Sequence, residues 1–349
     1  MRVSSQALRP EAPIKRVLIT GCGGFIGAHL LEHVLHETDW EVTATDSFRH
    51  KGRTDRIRQV LEAGPPEWRQ RTHVVMHDLA APVASQLRHK IGHVDYVLAL
   101  GSLSHIDDSI ADPVPFARNN LDIALSTLEY ARDASPEHLI WVSTDEVYGP
   151  TEPGGALAEW SPILPSNPYS GSKACQEAMA IAYWRTYGVP LSIVNCMNLI
   201  GERQGAEKYL PTLIRKISRG ERVTVHGSPG NIGSRFYLHA RNLADALLFI
   251  LRTLPPGMFP DAGRPDRFNI VGPDRVSNLE LAQMVAGIIG VRLRYELEDF
   301  HTTRPGHDPH YGLSGTKLAA LGWKPPVPFR ESLARTVQWS LTHKEWLED

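Results

Sequence analysis

Two carboxylates stand side by side at Asp145-Glu146, directly after the hydroxyls of Ser143-Thr144 and the apolar run Ile140-Trp141-Val142. Adjacent acids can divide the work of proton donor and proton acceptor when their surroundings push their pKa values apart. Neighbours on a strand point to opposite faces, so both acids reach one ligand only if the strand has given way to a turn. Further on, Tyr169 and Lys173 have the spacing that shares one helix face. An ammonium fixed beside a phenol favours the phenolate and lowers its pKa from about 10. That would make Tyr169 a base for a hydroxyl, a sugar hydroxyl for instance. Each pair alone is also what solvated acids at a strand end, or a chance helical spacing, would look like.

The surrounding elements must position these groups. Residues 15–20 read as an apolar strand, followed by Gly21, Gly24 and Gly27 and then an apolar-periodic helix to about His36. In such a turn the glycines permit a tight bend, close approach of a pyrophosphate and packing of the helix on the sheet. Phe25 and Ile26 would then offer first-turn amides to the phosphates. A second strand, 41–45, ends at Asp46, which is placed to accept adenosine ribose hydroxyls and so suits NAD over NADP. Arg49, Lys51 and Arg53 nearby keep NADP open at this point. A third strand, 72–76, leads to Asp78-Leu79, where Asp78 would accept from an adenine amino group or else cap a helix. A fourth, 94–100, enters the small-residue loop that holds Ser104-His105, and a helix spans 119–131. The fifth, 138–143, carries the acids, and a sixth, 191–197, ends at Asn198. Strands alternating with helices imply a doubly wound parallel sheet of the Rossmann type. Residues 14–197 are expected to form the NAD-binding domain, with 233–272 partly returning to it. Residues 198–349 would be mainly a smaller α/β substrate domain, and 1–13 a loose tail. Ser277-Asn278-Leu279-Glu280 has the pattern of a capping box.

Composition narrows the function. A net charge of -2 over 349 residues gives no electrostatic case for a nucleic-acid or membrane-surface partner. No apolar run approaches a bilayer span, and the start of the chain lacks a signal-peptide core. The 3 cysteines form neither a zinc pattern nor a disulfide framework, and the 16 histidines show no ligand spacing, so no metal is expected. A cytoplasmic setting follows.

Together, Gly21-x-x-Gly24-x-x-Gly27, Asp78, and Tyr169-x-x-x-Lys173 resemble the extended short-chain dehydrogenase/reductase family. Ser143-Thr144-Asp145-Glu146-Val147-Tyr148-Gly149 resembles the signature of its dTDP-glucose 4,6-dehydratase branch, as do Glu207-Lys208-x-Leu210-Pro211 and Arg304-Pro305-Gly306-His307-Asp308. The resemblance implies NAD as cofactor, a nucleoside-diphosphate hexose as substrate and a homodimer. It implies that Tyr169 takes the C4 hydroxyl proton, Glu146 removes the C5 proton, and Asp145, kept protonated, donates to the departing C6 hydroxyl. Thr144 would position the sugar. Ser104, His105, Asn198, Lys208, Arg235 and Arg304 would contact the substrate. Within the same family, a 4-epimerase or UDP-glucuronate decarboxylase also needs the Tyr-Lys pair and NAD, but neither needs an acid to expel a C6 hydroxyl. A non-catalytic dinucleotide-binding regulator is the reading from another class.

Overall fold

The structure is a computed structural model that describes residues 13–152, 154–258, 263–298 and 310–348. Six strands follow in order: β1 (Arg16–Thr20), β2 (Glu41–Asp46), β3 (Thr72–Met76), β4 (Tyr96–Ala99), β5 (His138–Thr144) and β6 (Leu191–Cys196). They join a seventh, Asp266–Ile270, in one sheet ordered seventh-β6-β5-β4-β1-β2-β3, with every pairing parallel. Every residue of β5, β6 and the seventh strand is buried. Strands covered on both faces tend to read as apolar runs, as β5 does from Leu139 to Val142, whereas the seventh strand buries Asp266, Arg267 and Asn269.

Alternation along β1 sends Val17 and Ile19 to one layer and Leu18 to the other. The first layer holds the helices Phe25–Glu37 and Ala240–Thr253, through Leu30, Val34, Leu243 and Leu247. The second holds Pro113–Ala134 and Pro168–Tyr187, through Ile123, Leu128 and Ala180. Strand order reverses beside β1, so a crevice opens outside the carboxyl ends of β1 and β4, where such sheets bind ligands. The Rossmann-type doubly wound sheet is thus as expected.

The carboxyl-terminal residues supply a separate apolar cluster. Leu213 and Ile214 of Tyr209–Ser218, Leu281 and Val285 of Asn278–Ile289, and Leu333 and Val337 of Phe329–Thr342 meet there. A small sheet places Val223–Ser228 between Tyr295–Glu298 and Asn231–Ile232. The capping box at Ser277 and Glu280 is formed in full. Some bounds differ from expectation. The helix expected over 119–131 begins at Pro113, because proline at a first helical position loses no needed amide. Among the described residues, no helix is long and apolar enough to cross a membrane.

Candidate active site

The glycine turn after β1 is built for close approach. Gly21 has φ 68°, and a Cβ on Gly27 would lie 2.2 Å from the Gly21 carbonyl oxygen. Gly24 caps the Phe25–Glu37 helix without any side-chain bond, so the amides of Phe25 and Ile26 face outward as an anion cradle. Asp46 at the end of β2 fixes the turn: Oδ2 accepts from Gly23 N at 3.0 Å and Oδ1 from Phe48 N at 2.8 Å. Arg56, itself buried, donates to the carbonyls of Gly23 at 3.0 Å, Lys51 at 2.6 Å and Arg203 at 3.0 Å. The cradle and the acid fit a dinucleotide. The cations that had kept NADP open are each near a carboxylate: Arg49 with Asp78 at 2.6 Å, Arg53 with Asp55 at 3.2 Å, Lys51 with Glu207 at 3.9 Å. Asp78 caps no helix; its Oδ1 accepts from Ala80 N in a tight turn, and Leu79 is buried in the second layer.

At the end of β5 the strand gives way to one 3-10 turn, Asp145–Tyr148. This is the turn that the adjacent acids require. Thr144 caps it, accepting from Glu146 N at 3.3 Å and donating to Asp145 Oδ1 at 3.1 Å. Asp145 is 5% exposed, and its Oδ2 is buried with no hydrogen-bond partner among the described residues. Glu146 is half-buried and accepts from Asn167 Nδ2 at 3.4 Å. Burial pushes the Asp145 carboxyl up to about 6. Burial and the neighbouring Asp145 push Glu146 up to about 7, against the opposing charges of Arg235 and Lys208. Burial thus raises both carboxyls toward neutrality. The Thr144 hydroxyl bond opposes the rise at Asp145, and the Asn167 amide opposes it at Glu146.

Tyr169 and Lys173 lie on the Pro168–Tyr187 helix, opened by a capping box of Asn167 and Ser170. The expected depression of the phenol is not found. Lys173 Nζ donates to Val142 O at 3.0 Å and to Gln176 Oε1 at 2.8 Å. Burial lowers the ammonium to about 8, with Glu177 the largest opposing influence. Desolvation and then Glu146 raise the Tyr169 phenol well above its ordinary value, and a hydrogen bond with Thr144 opposes them. Spacing correctly placed the two side chains on one helix but could not show that the ammonium is already engaged and that two acids face the phenol.

Of the other expected residues, Arg235 and Lys208 come close enough for their charges to act on Glu146. Arg235 also lies over the Tyr311 ring at 4.8 Å. Asn198 sits just past β6, its carbonyl accepting from Leu238 N. Ser104 is exposed, and His105 Nδ1 is 3.0 Å from Asp108 Oδ1. Arg304 lies outside the described residues. Sequence reading missed the amides that hold the site. Asn120 ties the 101–105 loop to the Tyr169 helix, accepting from Leu103 N at 2.7 Å and donating to Ser172 Oγ at 2.9 Å. Asn167 serves both Glu146 and the helix start. A polar residue inside an apolar run, as Asn195 is in β6, was the available signal.

A model described as the NAD dependent epimerase/dehydratase family matches residues 17–270. The chain belongs to that family. Its cofactor is accordingly NAD. It is 31% identical over 346 residues to a probable dTDP-glucose 4,6-dehydratase of Sinorhizobium fredii, covering 95% of this chain and 94% of that protein. Among solved structures, it is similar to the dTDP-glucose 4,6-dehydratase DesIV of Streptomyces venezuelae, crystallised with NAD. The TM-score is 0.81 at 30% identity, over 95% of this chain and 99% of that one. It also resembles UDP-glucose 4-epimerase of Thermus thermophilus in complex with NAD, at TM-score 0.80 and 26% identity, over 93% and 98% of the two chains. The resemblance to extended short-chain dehydrogenases/reductases is borne out, and the chain is an NAD-dependent enzyme of the nucleotide-sugar dehydratase and epimerase group.

Proposed function

We propose that this enzyme is a nucleoside-diphosphate-hexose 4,6-dehydratase, with dTDP-glucose as its first candidate substrate. The observation that carries this reading is the adjacent buried Asp145 and half-buried Glu146, one Asp145 oxygen unpartnered among the described residues, on the turn beside Tyr169. NAD, which the Gly21–Gly27 turn and Asp46 would hold, would supply the hydride chemistry between sugar C4 and C6. Tyr169 would accept the C4 hydroxyl proton as its phenolate, its own proton having first been lost to solvent, beside the Thr144 hydroxyl. The resulting C4 ketone acidifies the C5 proton, which Glu146 removes. Asp145 delivers a proton to the C6 oxygen, and the C6–O bond breaks to release water. A pair of acids that titrates near neutrality can hold one proton and accept another, as this sequence demands. By the resemblance, Arg235, Asn198 and Arg304 would contact the nucleoside diphosphate, with Lys208 on the substrate side.

The test is incubation with dTDP-, UDP-, CDP- and GDP-hexoses, followed by mass spectrometry for loss of water and by absorbance for the new 4-ketone. A 4-keto-6-deoxy product with any of them supports the reading. Inversion at C4 without loss of water would make the enzyme an epimerase, release of carbon dioxide from a uronic acid a decarboxylase. Tight NAD binding with no turnover would point to a regulatory protein.

A further inference from the structure

The mechanism leaves unused a carboxylate and a guanidinium that are both 0% exposed: Glu177 and Arg267, paired at 2.6 Å. Glu177 follows Lys173 by one turn on the same helix. Arg267 comes from the seventh strand, where it pairs in register with Ile193 of β6. Ion pairs in such surroundings rarely stabilise a fold more than well-packed apolar side chains would. Their presence here calls for another reason, and their remaining hydrogen bonds supply one.

Glu177 Oε1 accepts from Asn195 Nδ2 at 2.7 Å, and the same amide nitrogen donates to the Thr144 carbonyl at 2.9 Å. Arg267 Nη1 donates to the Tyr148 hydroxyl at 3.2 Å, while its guanidinium lies over the Trp160 ring at 4.3 Å. The Tyr148 hydroxyl in turn donates to the Glu159 carbonyl at 2.8 Å. Thr144 caps the turn that carries the two acids, and Tyr148 ends it. The turn is therefore gripped at both ends, and both grips converge on one carboxylate. We infer that Glu177 is a positioning residue, which with Arg267 fixes the Asp145–Tyr148 turn against the Tyr169 helix. Removing its charge leaves Arg267 buried and unpaired and frees the turn to drift. An error of about 1 Å in acid placement costs up to about 100-fold in rate.

This inference rests on the dehydratase reading for its kinetic test, so a second readout stands apart from catalysis. In Glu177→Gln and in Tyr148→Phe, kcat for loss of water is measured against KM, together with the infrared carbonyl stretch of the protonated acids across pH. The bands of Asp145 and Glu146 are assigned by Asp145→Asn and Glu146→Gln. Expected are a fall in kcat of about 10- to 100-fold for Glu177→Gln with KM within about twofold, a smaller fall for Tyr148→Phe, and carboxyl titration moved toward ordinary values in both. Folded variants with unchanged kcat and unchanged titration would overturn the inference. If Glu177→Gln does not fold, Tyr148→Phe decides by the same two readouts. If the unmodified enzyme dehydrates no hexose, the function proposed above fails, and the carboxyl titration alone decides for or against Glu177.

Discussion

Two buried acidic corners of this enzyme have opposite electrostatics. At the end of β5, Asp145 and Glu146 face hydroxyl and amide partners, and both carboxyls are pushed up. Beyond β6, Glu202 is 7% exposed, yet its carboxyl is held well below the usual range. Desolvation works against ionisation there too, but His239 donates at 3.0 Å, and Arg241 and His29 lie 3.7 and 3.8 Å away. Burial is common to both corners, so the partners decide the sign. A carboxylate held by a histidine hydrogen bond and a nearby arginine is structural cement, whereas one whose direct hydrogen bonds come only from a hydroxyl or an amide is left ready to trade protons.

Substitutions that erase the contrast should have graded effects. Glu146→Gln should lower turnover by about 1000-fold, the middle of the range for loss of an acid-base group, and should abolish deuterium uptake at C5. Persistent uptake would remove Glu146 from its assigned role. Glu202→Gln should cost stability instead, about 3–5 kcal/mol for breaking a buried pair, read by urea unfolding at pH 7. Asp145→Asn should slow water elimination by about 100-fold while substrate still reduces the cofactor; equal loss of both steps would count against a dedicated proton donor.

The pH dependence of stability sharpens the same comparison. Glu202 has a depressed folded pKa, so its contribution is present above about pH 4 and lost as pH falls further. Burial holds His29 well below its ordinary value, so protonation of the unfolded chain destabilises the fold as pH drops under about 6.5. Glu146 has the opposite sign. Its raised folded pKa means stability declines as pH climbs from about 4 through about 7. The smallest expected effect is thus a gain of about 1 kcal/mol for Glu146→Gln at pH 8, discounted because the group is half-buried. The gain should vanish at pH 4, and thermal unfolding at both pH values measures it.

The contrast also marks what was legible in the chain. The glycine turn, Asp46 and the β5 acids were readable because local spacing alone dictates their geometry. So was the sheet, since fully buried parallel strands leave apolar runs. The phenol's raised pKa was not, because it arises first from burial and then from Glu146, distant in sequence and brought close by the fold. Nor was the Glu177–Arg267 pair, whose members are 90 residues apart and meet only once the seventh strand joins β6.

Arg56 carries a mechanical consequence. One side chain bolts the Gly23 and Arg203 carbonyls together, and Arg203 lies a few residues ahead of Lys208. The glycine turn of the cofactor cleft and the segment leading to Lys208 therefore share a rivet, so a displacement of either should pull on the other.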